Sequence, residues 1–82
     1  MRRNALEMSD AFAKVVEKHR KAKGLSKARL AEMAGLHQTY IGLLERGQRS
    51  PNLDTAKAIA MALGIRLAEL IEESELIQKG RK

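Results

Sequence analysis

Four glycines, Gly24, Gly35, Gly47 and Gly64, cut this chain of 82 residues into short segments, and the segments they bound repeat apolar residues at helical spacing. Val and Ile are few and never alternate over a useful run, so no strand is expected. Ser9 can cap a first helix with Phe12, Val15, Val16 and His19 on one face. That helix stops at Gly24, after Lys21 and Lys23, whose charges suit the negative helix end. Ser26 caps a short second helix with Leu30, Ala31 and Ala34 inward, ending at Gly35. A third runs from about Gln38 to Arg46, with Ile41 and Leu44 inward and Gly47 as its stop. Asn52 caps a fourth that places Leu53, Ala56, Ile59, Ala60 and Leu63 on one side and ends at Gly64. Leu67, Leu70 and Ile71 mark a fifth, whose length the periodicity leaves open. The expectation is an all-α fold of five helices in a single domain.

A core of this size is marginal, so tight helical packing or dimerisation would help it. The net charge is +6 and is unevenly placed. Residues 1–50 hold 11 basic and 5 acidic side chains, whereas residues 51–82 hold 5 of each. A basic first part favours a polyanionic partner, nucleic acid above all. The absence of Cys removes disulfides and thiolate metal sites and fits a reducing cytoplasm. No apolar run approaches the roughly 18–20 residues that span a bilayer, and the N-terminus lacks the apolar stretch of a signal peptide. Membrane-surface binding through the basic first helix is set aside, because Phe12, Val15 and Val16 are needed for the core. With only Phe12 and Tyr40 as aromatics, there is no platform for stacking single-stranded bases. There is no metal cluster, no nucleophile with a nearby His and no Gly-rich phosphate loop. An enzyme is therefore not expected, nor a cofactor, a metal or a small-molecule ligand.

The stretch GLHQTYIGLLERGQRSP, residues 35 to 51, carries the functional signal. Only Gly35, Leu36 and His37 separate the second and third helices, and a Gly there permits the left-handed turn between helices that meet at a wide angle. Ala31, one turn earlier, leaves room for the next helix to approach. Leu30, Leu36, Ile41 and Leu44 supply apolar contacts that set the angle. Together these offsets form a helix-turn-helix over about residues 27–46. The outer face of the third helix holds Gln38, Thr39, Leu43 and Arg46, with Gly42 between them and no acid. Such a face suits the major groove, where acids are repelled by phosphate and an excess of cations binds every sequence alike.

The segment from about Phe12 to Leu70 resembles the Cro and lambda-repressor type of helix-turn-helix domain, the XRE family. The residues carrying the resemblance are Arg20, GLS at 24–26, Leu30 and Ala31, Gly35, YIG at 40–42, Glu45 to Gly47, Pro51 and ALG at 62–64. The run HQTYIGLLERG is also similar to controller proteins of restriction–modification systems. The resemblance implies a compact five-helix, lambda-repressor-like fold, sequence-specific operator binding as a symmetric dimer, and transcriptional control in a bacterium or phage. It places base reading at Gln38, where a bidentate contact to adenine suits the side chain. Thr39 then meets a thymine methyl or a phosphate, or caps locally. Leu43 meets a thymine methyl or tucks against the core. Arg46 reaches a phosphate or a guanine, or stays solvated at the helix end. Phosphate contacts are expected from Ser26, Lys27, Tyr40, Gln48, Arg49, Ser50 and Asn52. The resemblance also pairs Arg20 with Glu45. His37 stands where the family often has Ser or Thr, which leaves the cap of the third helix open.

A homodimer would read a palindrome through two half-sites. Its interface is expected at Ile65, Leu67, Leu70, Ile71, Leu76 and Ile77, although Leu67 and Leu70 can also close the monomer core. Glu69, Glu72, Glu73 and Glu75 keep this end away from phosphate and offer partners to Arg66 across a dimer axis. Residues 1–8 read as an arm in which Arg2, Arg3 and Asn4 enter a minor groove or merely solubilise, 9–73 as the helix-turn-helix domain, and 74–82 as an extension. With no second domain to sense a small molecule, regulation would follow the protein's own concentration. The competing class is a protein-binding module, an antitoxin or a bridging helix-turn-helix.

Overall fold

The structure, a computed structural model, describes residues 7–80. Over those residues the chain forms α1 (Met8–Ala22), α2 (Lys27–Ala34), α3 (Gln38–Glu45), α4 (Leu53–Leu63) and α5 (Leu67–Gly80), with no strand. The α1 helix is the spine. The α5 helix packs on it most extensively and α3 also meets it, while α2 packs against both α3 and α4. All five helices bury part of one core: Phe12, Val15 and Val16 from α1, Leu30 and Ala31 from α2, Ile41 and Leu44 from α3, Ala56, Ile59, Ala60 and Leu63 from α4, and Leu70 from α5. Removing each larger apolar side chain from water contributes about 1.5–3 kcal/mol. Among the described residues no helix is long and apolar enough to cross a membrane.

The turn that sets α3 against α2 works through Gly35, whose φ of 73° lies in the left-handed region. This brings the Gly35 and Leu36 amides back onto the carbonyls of Glu32 and Ala31, at 3.2 and 2.8 Å, and closes the end of α2. Leu36 packs against the core beside the buried Ala31. Ala31 is itself 2% exposed and part of the core, so a larger side chain there would have to displace core neighbours.

Three expectations need correction. The first helix is not capped by Ser9: it starts at Met8, with Glu7 as an extended N-cap that makes no side-chain cap bond. The extra residue places Met8 one turn before Phe12, where both line a groove with Ile71. Leu53 is not in the core but is 77% exposed. It shares a face with Ala56 and Ile59, yet lies one turn before the neighbouring helices cover that face. Leu70 is fully buried within the monomer and presents nothing to a partner. The α5 helix runs past residue 73 to Gly80, with Ser74 fully buried, its hydroxyl donating to the Leu70 carbonyl at 2.7 Å, and Ile77 packed on the core. Arg2, Arg3 and Asn4, together with residues 81–82, lie outside the described residues.

Candidate nucleic-acid interface

The eight residues of α3 form a rod about 12 Å long, matched to a major groove about 12 Å wide. Its inner side is fixed by Ile41 and Leu44, both fully buried. At 3.6 residues per turn, positions 38, 39, 42, 43 and 46 share the opposite arc of about 140°. There Gln38, Thr39 and Arg46 are exposed and Leu43 is half-buried, so Leu43 touches both core and surface. The arc carries one cation and no acid.

The only acid of α3, Glu45, points elsewhere. Its carboxylate accepts two hydrogen bonds from Arg20 of α1, Nε to Oε2 at 2.7 Å and Nη2 to Oε1 at 3.0 Å. Arg20 Nη1 donates to the Leu25 carbonyl at 2.7 Å, just before α2. One guanidinium therefore ties together α1, the entry to α2 and the end of α3. The two side chains are 9% and 3% exposed. The hydrogen bond to Glu45 raises the Arg20 pKa above its ordinary value against the opposing effect of burial.

The start of α3 is held by His37 itself. Its Nδ1 accepts the Thr39 amide at 3.4 Å, so the ring carries its proton on Nε2 while that cap stands. An imidazole thus replaces the Ser or Thr hydroxyl of the resembling family. Thr39 takes the cap through its backbone, which leaves its side chain free.

The flanks are ordered in the same way. Ser26 Oγ accepts the Arg29 amide at 3.0 Å and Asn52 Oδ1 accepts the Thr55 amide at 2.8 Å. Both retain a donor, the hydroxyl of Ser26 and the amide NH2 of Asn52. Lys27 is the first residue of α2. Gln48, Arg49 and Ser50 form the exposed loop that follows α3. Arg49 folds back over the half-buried Tyr40, its guanidinium carbon 5.4 Å from the ring centroid, a contact worth about 0.5–1 kcal/mol at an exposed site. Arg46 Nε donates to Gln48 Oε1 at 3.3 Å. The structure thus joins Arg46 to Gln48 and Arg49 to Tyr40, and it leaves Gln38 and Thr39 standing free at the leading end. Among the described residues no cluster of His, Cys, Asp or Glu could hold a metal ion.

Residues 16–70 match the helix-turn-helix family. The chain belongs to that family. As a helix-turn-helix protein it is similar to control protein C.SmaI of Serratia marcescens, with 35% identity over 71 residues, 87% of this chain and 84% of that one. It is 38% identical over 60 residues to the immunity repressor of Bacillus phage phi105, a match spanning 73% of this chain and 42% of the repressor. The crystal structure of the restriction-modification controller protein C.AhdI from Aeromonas hydrophila superposes with a TM-score of 0.73 at 40% identity, covering 76% of this chain and 94% of that one. The resemblance read from the sequence is thereby established, and with it a DNA-binding transcriptional regulator of helix-turn-helix type rather than an enzyme.

Proposed function

We propose that this helix-turn-helix protein binds a palindromic double-stranded DNA operator as a homodimer in the cytoplasm, each protomer laying α3 in the major groove. The carrying observation is the division of α3 into a locked side and an acid-free side, with Gln38 and Thr39 exposed at its leading end. Gln38 reads adenine, Thr39 and the outer part of Leu43 meet thymine methyls, and Arg46 reaches the DNA from the trailing end. Ser26, Lys27, Tyr40, Gln48, Arg49, Ser50 and Asn52 hold the phosphate backbone and set the register.

The dimer reading is supported by apolar surface near α5. Leu76 is 61% exposed, and Leu53 stands at a groove lined by Met8, Phe12, Ala56 and Ile71. Ile65, Leu67, Ile71 and Ile77 are half-buried and pack against the core, leaving part of each accessible. Operator occupancy then follows the protein's own concentration through dimerisation.

The test is selection from a randomised duplex pool at about 150 mM salt, where non-specific binding is weak. A two-fold symmetric consensus is expected. Binding that is only salt-sensitive, with no sequence enriched, would contradict the proposal and favour a protein partner such as a toxin.

A further inference from the structure

Within the acid-free arc of α3 one position has no side chain at all. Gly42 has an ordinary helical backbone, unlike the left-handed Gly24, Gly35, Gly47 and Gly64. A glycine inside a helix is less stable than an alanine, because it gives up more chain freedom on folding. The surroundings limit the size of the side chain at this position, though not to glycine alone. A Cβ built on Gly42 has as its three nearest neighbours Nη1, Nη2 and Cζ of Arg46, at 3.4, 3.9 and 4.0 Å. Gly42 is buried, although its arc otherwise faces outward, and the guanidinium lies across it. Gln48 holds the other edge of that guanidinium through Arg46 Nε. The two Nη groups take no protein acceptor among the described residues, and Arg46 is exposed.

We propose that Gly42 is a positioning residue for DNA binding: it seats the Arg46 guanidinium flat on α3, with Gln48 as the latch. The Nη groups are thereby ordered before contact and turned to an acceptor oxygen of the DNA. A long side chain ordered in advance loses less freedom on binding, so the seat acts on affinity without touching the DNA. The inference rests on the operator-binding reading above. It adds that strength of binding at Arg46 is set by a residue that does not itself contact the DNA.

The spacing grades the substitutions. A lone Cβ at 3.4 Å from Nη1 is in ordinary contact, so Gly42→Ala leaves the seat usable. Leucine occupies the space of the guanidinium and evicts it. Both are better helix formers than glycine, so neither variant should melt below the wild type. Affinity for the selected operator is measured for wild type, Gly42→Ala, Gly42→Leu, Arg46→Ala and the Gly42→Leu/Arg46→Ala double variant. Gly42→Ala should stay within about twofold of wild type, and Gly42→Leu should lose about tenfold, the loss of one charge-assisted contact. In the Arg46→Ala background the leucine should cost nothing more, because the side chain it displaces is gone. An equal loss in both backgrounds would overturn the inference and assign Gly42 to direct approach of the DNA. Full affinity in Gly42→Leu would overturn it as well. Failure of the wild type to select any sequence would instead defeat the operator-binding reading itself.

Discussion

His19 and Arg20 are neighbours on α1, yet they anchor different helices in different electrostatic settings. Arg20 grips Glu45 of α3 through two hydrogen bonds, with a third donor on the Leu25 carbonyl, and both side chains of the pair are almost wholly withdrawn from water. Just before Arg20 on α1, Lys18 and His19 share a single carboxylate of α5, Glu73, at 3.1 Å each. There the side chains are 66%, 19% and 33% exposed. The buried pair has one geometry and nothing to replace a lost partner. The surface trio is bathed by water and ions that can substitute for either cation. The helix proposed to read DNA is thus tied to α1 by a buried ion pair, whereas the polar anchor of the helix proposed to meet a second protomer is open to water.

The largest effect should come from breaking the buried anchor. Glu45→Ala leaves the Arg20 charge buried and unpaired, and a loss of about 3–5 kcal/mol is expected by chemical denaturation. A variant as stable as wild type would erase the contrast between the two anchors. Replacing both partners by methionine removes the stranded charge, so that double variant should recover most of the loss. Glu73→Gln should fall within about 1 kcal/mol of wild type, less at high salt. A large loss there would show that the α5 anchor matters as much as the buried one. The smallest effect concerns pH. Burial alone pushes the Glu73 carboxyl up, but hydrogen bonds from Lys18 and His19, with their charges, outweigh it and hold its pKa below the ordinary value of 4.5. Its contribution to stability is therefore present above pH 4.5 and lost as pH falls through the lowered folded value. The stability gap between wild type and Glu73→Gln should close over that acid range. A gap independent of pH would refute the assignment.

Much of this contrast was legible in the residues, though unevenly. Gly35 and Gly64 mark the ends of α2 and α4, and the inward faces of α2 and α3 follow from helical spacing, because both signals are local. The Arg20–Glu45 contact came from family resemblance and not from spacing, since the two residues are 25 apart in the chain. Leu53 shows what periodicity omits. It tells which face is inward but not where the covering helix ends, so Leu53 emerges into solvent, while Leu70 takes the core alternative rather than the dimer one. The length of α5 was open because its acidic run resembles a solvated tail, whereas the buried Ser74 and the Glu73 anchor extend it. His37 as a cap departs from the residues that usually perform that task. The seat of Arg46 on Gly42 depends on the fold-back of a long flexible side chain, to which spacing alone is blind.

The central claim is that α3 separates stability, on its inner side, from recognition, on its outer side. The most direct test is the Gln38→Ala/Thr39→Ala variant, followed by thermal melting and by binding to the selected operator and to an unrelated duplex. Both residues are exposed, so melting should match wild type within about 0.5 kcal/mol. Operator affinity should fall well towards that of the unrelated duplex, which should itself be unchanged. Undiminished preference for the operator, or a folded state weakened along with binding, would contradict the account.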